Sequence, residues 1–226
     1  MPVLALTVAS AASVALVFGR IISTHNLRYC FLVWNLFLAW LPLVFALLAA
    51  EKFKTASARN WHFLSLAGAW LLFFPNAPYI FTDLTHLTTR YYGHFWVDLT
   101  LILLCALTGL VLGFVSLYLM QSVVERMLGR PASWLFIAAV AALSGFGIYV
   151  GRFMRFNSWD VFCRPVQLYR GIGNWVADPL ANANSLMFPV LFGAFLFVSY
   201  LMLYALTHLR PAQATALLPE FQPTLA

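Results

Sequence analysis

Residues 97–121 read VDLTLILLCALTGLVLGFVSLYLMQ, and the only charge among these 25 positions is Asp98. At about 1.5 Å of rise per residue, a helix of that length crosses the roughly 30 Å of a bilayer's hydrocarbon core. A backbone inside lipid must satisfy its own hydrogen bonds, and the run is far longer than a barrel strand. The stretch therefore reads as a transmembrane helix. Five comparable runs flank it, at about Pro2 to Ile22, Tyr29 to Ala50, Asn60 to Phe81, Ala132 to Gly151 and Ser185 to His208.

The expected fold is all-α: a polytopic integral membrane helix bundle of about six transmembrane helices. Residues 1–208 form one membrane domain, and 209–226, rich in Pro, Glu and Gln, form a disordered tail. Composition supports this, since 63% of the 226 residues are hydrophobic and 9% charged, against roughly 25% charged in a soluble domain. The N-terminal MPVLALTVASAASVALVFGR has no basic residue before Arg20 and reads as the first span rather than a cleaved signal.

The net charge of +6 comes from 13 Lys and Arg distributed among the links. That is membrane flanking, so the bilayer is the expected partner and nucleic acid is not. Cys30, Cys105 and Cys163 form no CxxC, and no cofactor is expected. Gly109 with Gly113, and Gly147 with Gly151, have the GxxxG spacing that lets helices approach closely, for packing within the chain or for dimerisation.

The third span is interrupted. FPNAPYIFTDLTHL, residues 74–87, places Pro75 about 14 residues, or about 21 Å, into the helix. Proline removes a donor and clashes with the preceding turn. Ala77, preceding Pro78, is pushed away from helical geometry. The helix is therefore expected to break at Pro75/Pro78 before reaching water, with Asn76 satisfying the freed carbonyls. Thr82 is placed to cap a following helix, with Asp83 in its first turn.

Alternation of the spans brings Arg20, Arg28, Asn35, Asn76, Asp83, His86, Asp98, Arg152, Arg155, Asn157 and Asp160 to one membrane face. Asp83 and His86, three apart, read either as part of an amphipathic interfacial helix or as a carboxylate–imidazole pair for acid–base catalysis. Arg152 and Arg155, also three apart, read either as partners of Asp83, Asp98 or Asp160, or as a clamp that binds an anion through paired hydrogen bonds. Asn35, Asn76 and Asp160 would orient that substrate-binding site. The aromatic link after the fifth span, Arg152 to Asn184, is expected to lie at the interface. No metal-ligand spacing is evident.

Three blocks carry a family resemblance: WNLFLAWLP (34–42), FPNAPYIFTDLTHL and GRFMRFNSWD (151–160). Together the chain resembles the membrane-protein family called domain of unknown function 1361, over most of its length. The resemblance implies a bacterial integral membrane protein with several spans, and hence a multi-pass protein of the inner (cytoplasmic) membrane. It implies no activity. The residues point to a site for an anionic small molecule or lipid-linked substrate, possible headgroup transfer or hydrolysis included. The alternatives are a transporter or channel-like protein lined by the broken span, or a structural assembly subunit without chemistry.

Overall fold

A computed structural model of the chain describes residues 2–55, 61–87, 94–177 and 183–208. Among the described residues the α-helices are α1 (Pro2–Thr24), α2 (Cys30–Thr55), α3 (Trp61–Phe73), α4 (Asn76–Tyr79), α5 (Phe95–Leu128), α6 (Arg130–Arg152), α7 (Asp160–Cys163), α8 (Pro165–Ala177) and α9 (Ala183–Thr207). Two 3₁₀ turns, Leu27–Tyr29 and Ile80–His86, join them, and no described residue is in a strand. The expected tail at 209–226 lies outside the described residues.

Among the described residues, six segments are long and apolar enough to cross a membrane: Val3–Thr24, Leu27–Phe53, Trp61–His86, Phe95–Leu128, Arg130–Arg152 and Ser185–Thr207. The protein is a polytopic helical bundle. Its outward side chains, such as Leu64, Leu107, Leu135, Leu143, Val190 and Met202, are large, apolar and exposed. On a soluble protein so extensive an apolar exterior would be a liability, whereas here it faces lipid.

Helix α5 is the central element, packed against α1, α2, α4 and α6, while α6 pairs closely with α9. Two buried clusters lie on either side of it. One joins Leu32, Leu36 and Ala39 of α2 to Ile102 and Ala106 of α5. The other joins Trp70, Phe74, Phe114, Ile137, Ile148 and Tyr200. The broken third span belongs to both, with Phe74 in the second cluster and Ala77 and Ile80 in the first.

The break occurs at the expected place. Helix α3 ends at Phe73, and α4 restarts at Asn76. Asn76 Nδ2 donates to the Phe73 carbonyl at 3.0 Å, and Ser158 Oγ donates to the Leu72 carbonyl at 3.1 Å. Side chains thus replace amide donors at the interruption, as an embedded backbone requires.

Two local expectations are corrected. Ala77 is helical, inside α4; Pro78 is in that helix's first turn, where its missing N–H breaks no helical bond. Thr82 caps nothing, because helical backbone has already resumed at Asn76. Its Oγ1 donates back to the Tyr79 carbonyl at 2.7 Å, and Asp83 is drawn inward instead.

The paired glycines make room for the break. A methyl at Gly109 would lie 2.7 Å from the Ala77 carbonyl oxygen, and one at Gly113 would lie 3.0 Å from Ala77 Cβ. On α6, a methyl at Gly147 would lie 2.9 Å from Pro75 Cγ. Both GxxxG pairs therefore serve packing within the chain. A further close approach, not singled out from spacing, is Gly145 against the Pro189 carbonyl of α9, where a Cβ would clash with backbone.

Candidate functional site

Where the broken span passes α2 and α6, a cavity of about 420 Å³ opens. Its polar wall carries Asn35, Asn76, Asp83, His86, Arg152 and Ser158. Its apolar wall carries Phe31, Trp34, Phe146 and Phe156, with Leu168 and Ile172 of α8. The cavity sits where α6 ends and α2 begins, so it lies at the membrane face to which alternation assigned these polar residues.

Helix α8 explains part of the enclosure. Leu168, Ile172 and Trp175 recur at helical spacing, and Trp175 packs on Phe146 and Tyr149 at 5.3 and 5.5 Å. Val166, Tyr169 and Val176 form an adjacent exposed apolar strip, and Gln167, Arg170 and Asn174 a polar one. A short helix with such faces suits the headgroup layer. It lies within the link, Arg152 to Asn184, for which an interfacial position is expected.

The centre of the polar wall is Asp83, which is 1% exposed. Asn35 Nδ2 donates to its Oδ2 at 2.8 Å, and Arg152 Nη1 donates to its Oδ1 at 3.1 Å. Each partner arrives on a different helix, which is why the carboxylate can be buried at all: a buried charge needs pairing and hydrogen bonds. Arg152 also lies over the Tyr79 ring at 5.9 Å, a cation–π contact, and its Nη2 donates to Thr85 Oγ1.

Arg152 Nη2 also lies 3.2 Å from His86 Nε2. A guanidinium can only donate, so this Nε2 accepts and the ring proton belongs on Nδ1. The same Nε2 lies 3.8 Å from Asp83 Oδ1. On the other side of the residue, Arg28 Nη2 donates to the His86 carbonyl at 3.2 Å. The carboxylate and imidazole are thus brought together, with Arg152 holding both lone pairs.

The remaining expected residues divide. Asn35 and Asn76 line the cavity, and Asn76 Nδ2 also donates to Ser158 Oγ at 3.0 Å. Asp160 is buried behind the lining. It accepts from the Asn157 backbone N–H at 2.7 Å, with Arg164 Nε 3.6 Å away, and so holds the loop that presents Phe156 and Ser158.

Arg155 is exposed, has a φ of 60°, lies outside the cavity lining and makes no ion pair or side-chain hydrogen bond among the described residues. Helix α6 ends at Arg152, so the three-residue spacing does not place both guanidinium groups on one face. Asp98 belongs to a separate network, accepting from Arg20 Nε at 2.5 Å and from Tyr29 Oη at 2.8 Å.

Sequence reading placed Arg28 on this membrane face without giving it a part in the site, and did not single out Tyr79, Thr85 or Ser158 as contributors. Tyr79 and Ser158 lie inside the blocks FPNAPYIFTDLTHL and GRFMRFNSWD, and Tyr79 stands four residues before Asp83. That proximity was the available signal. Among the described residues, no group of three or more His, Cys, Asp or Glu is placed to hold a metal ion.

The chain belongs to the family described as Protein of unknown function (DUF1361), whose model matches residues 34–199. No curated protein and no solved structure matches it.

Proposed function

We propose that this multi-pass membrane protein, placed in a bacterial inner (cytoplasmic) membrane, binds an anionic small molecule or the headgroup of a lipid-linked substrate in the cavity beside Asp83. The observation that carries the reading is the division of one cavity into a charged wall at Arg152, Asp83 and His86 and an aromatic wall closed by the amphipathic helix α8. An amphiphile matches both walls, and small-molecule sites share this mixture of apolar lining and few polar groups.

Arg152 contributes the anion contact, with Arg28 on the far side of His86. Asn35 orients Asp83, and Asn76 holds the break. An incoming anion that takes the Arg152 Nη2 donor from Thr85 and His86 leaves Nη1 paired with Asp83 and frees the His86 lone pair, so Asp83 and His86 are the acid–base candidates for headgroup transfer or hydrolysis.

Purification with native lipid, followed by mass spectrometry of what remains bound, tests this. His86→Ala leaves the Asp83–Arg152 pair intact and removes a group that lines the cavity, so it should fold yet lose the bound anionic species. Arg155→Gln should retain it. Equal lipid and ligand content in all three proteins would refute the anion site.

A second reading is favoured by the internal satisfaction of Arg152, whose partners are Asp83, Thr85, His86 and Tyr79. On that reading the network fastens helices and performs no chemistry. Retention of identical content by folded variants would support it. Solute flux in proteoliposomes would instead favour a permeation path along the broken span.

A further inference from the structure

At the opposite face, where α5 ends, α6 begins and α9 ends, a second cavity of about 420 Å³ is lined by Tyr118, Gln121, Glu125, Arg130, Tyr204 and His208, with Ser122 beside them. Gln121 is 1% exposed, and its Oε1 accepts from Tyr200 Oη at 2.5 Å. Its Nε2 is buried and has no hydrogen-bond partner among the described residues. A buried donor left unsatisfied is costly and unusual in a native interior.

Two charges border the same space. Glu125 is half-buried and Arg130 exposed, and among the described residues neither forms a salt bridge or side-chain hydrogen bond. Gly129, at a φ of 86°, makes the tight turn between α5 and α6 that brings both to one cavity. The remaining wall is aromatic: Tyr204 stacks on His208 at 4.0 Å, and Tyr118 lies 6.3 Å from Tyr204.

We propose that this cavity is a binding site for a zwitterion, with an ammonium directed at Glu125 and the tyrosine faces, and a phosphate or carboxylate directed at Arg130 and Gln121 Nε2. A simple anion would be opposed by Glu125, and a simple cation by Arg130. A ligand carrying both charges satisfies each and gives Gln121 its missing acceptor. The phosphoethanolamine headgroup of a lipid and a free amino acid share this chemistry. The site is independent of the Arg152 cavity.

The test uses the full chain in detergent. Native mass spectrometry follows binding of phosphatidylethanolamine and of phosphatidylglycerol with matched acyl chains, while calorimetry follows glycerophosphoethanolamine and glycine. Phosphatidylethanolamine should bind saturably and at least about tenfold more tightly than phosphatidylglycerol. Glu125→Gln and Arg130→Gln should each weaken binding about tenfold without lowering the unfolding temperature, since neither side chain bonds within the described structure.

If a soluble zwitterion shows that dependence and the lipid does not, the site stands with a soluble ligand. The proposal is overturned if no probe binds saturably, if both folded variants keep wild-type affinity, or if phosphatidylglycerol binds as well as phosphatidylethanolamine and no soluble zwitterion shows the dependence.

Discussion

Arg152, the last residue of α6, donates to Asp83 in the broken third span at 3.1 Å, across 69 positions of sequence. Asp83 is almost wholly enclosed, so removing Arg152 leaves a carboxylate that water barely reaches, and removing Asp83 leaves the largely buried Arg152 without its carboxylate. Asp83→Ala and Arg152→Ala are each expected to cost about 3–5 kcal/mol, read as a lower unfolding temperature in detergent. The double replacement Asp83→Leu with Arg152→Leu removes both charges and should recover part of that loss. Single variants that melt like wild type would show that the pair does not hold the third span to α6.

The glycines make a sharper packing prediction, because they differ in what surrounds them. A methyl at Gly109 meets a backbone oxygen at 2.7 Å and Ile80 Cδ1 at 2.8 Å, whereas nothing lies within 4 Å of one at Gly68. Gly109→Ala should destabilise by about 1–3 kcal/mol through overpacking. Gly68→Ala, in the middle of α3, should be neutral or stabilising by up to about 1 kcal/mol. Thermal unfolding of the two variants side by side gives opposite signs if the break packs on α5 as described.

These two sets of residues mark what could be read in advance. The spans, the break and the meeting of Asn35, Asp83, His86 and Arg152 followed from hydropathy, proline chemistry and alternation, which act locally or count crossings. Arg155 did not follow the helical spacing because α6 stops three residues before it and the chain turns through a positive φ. Thr82 was read as a cap because sequence does not reveal that helical geometry resumes as early as Asn76. The cavity at Gln121 needs the aromatic end of α9 beside α5, a long-range pairing to which no local pattern points.

Asn76 tests whether the break is maintained by side chains. Its Nδ2 serves both the Phe73 carbonyl and Ser158 Oγ, and Ser158 in turn serves the Leu72 carbonyl. Asn76→Leu leaves two of these acceptors without their donor and should cost about 1–3 kcal/mol. Ser158→Ala removes its hydroxyl's bond to Leu72 and should cost less, about 1 kcal/mol. A double variant whose loss falls short of the sum would show that the two residues act as one network; strict additivity would show that they act separately.

The faces of α8 make the last prediction, which concerns its position against the membrane. Tyr169 lies on the exposed apolar strip and Arg170 on the polar one, a single residue apart. A helix lying in the headgroup layer buries the first and presents the second to water. With Cys30, Cys105 and Cys163 replaced by Ser or Ala, Tyr169→Cys and Arg170→Cys are compared for reaction with a charged, membrane-impermeant maleimide in vesicles. Arg170→Cys should react at least about tenfold faster, and detergent should reduce the difference, since the shielding of Tyr169→Cys comes from lipid rather than protein. Equal rates in vesicles would place α8 clear of the interface and leave the apolar wall of the Arg152 cavity open to water.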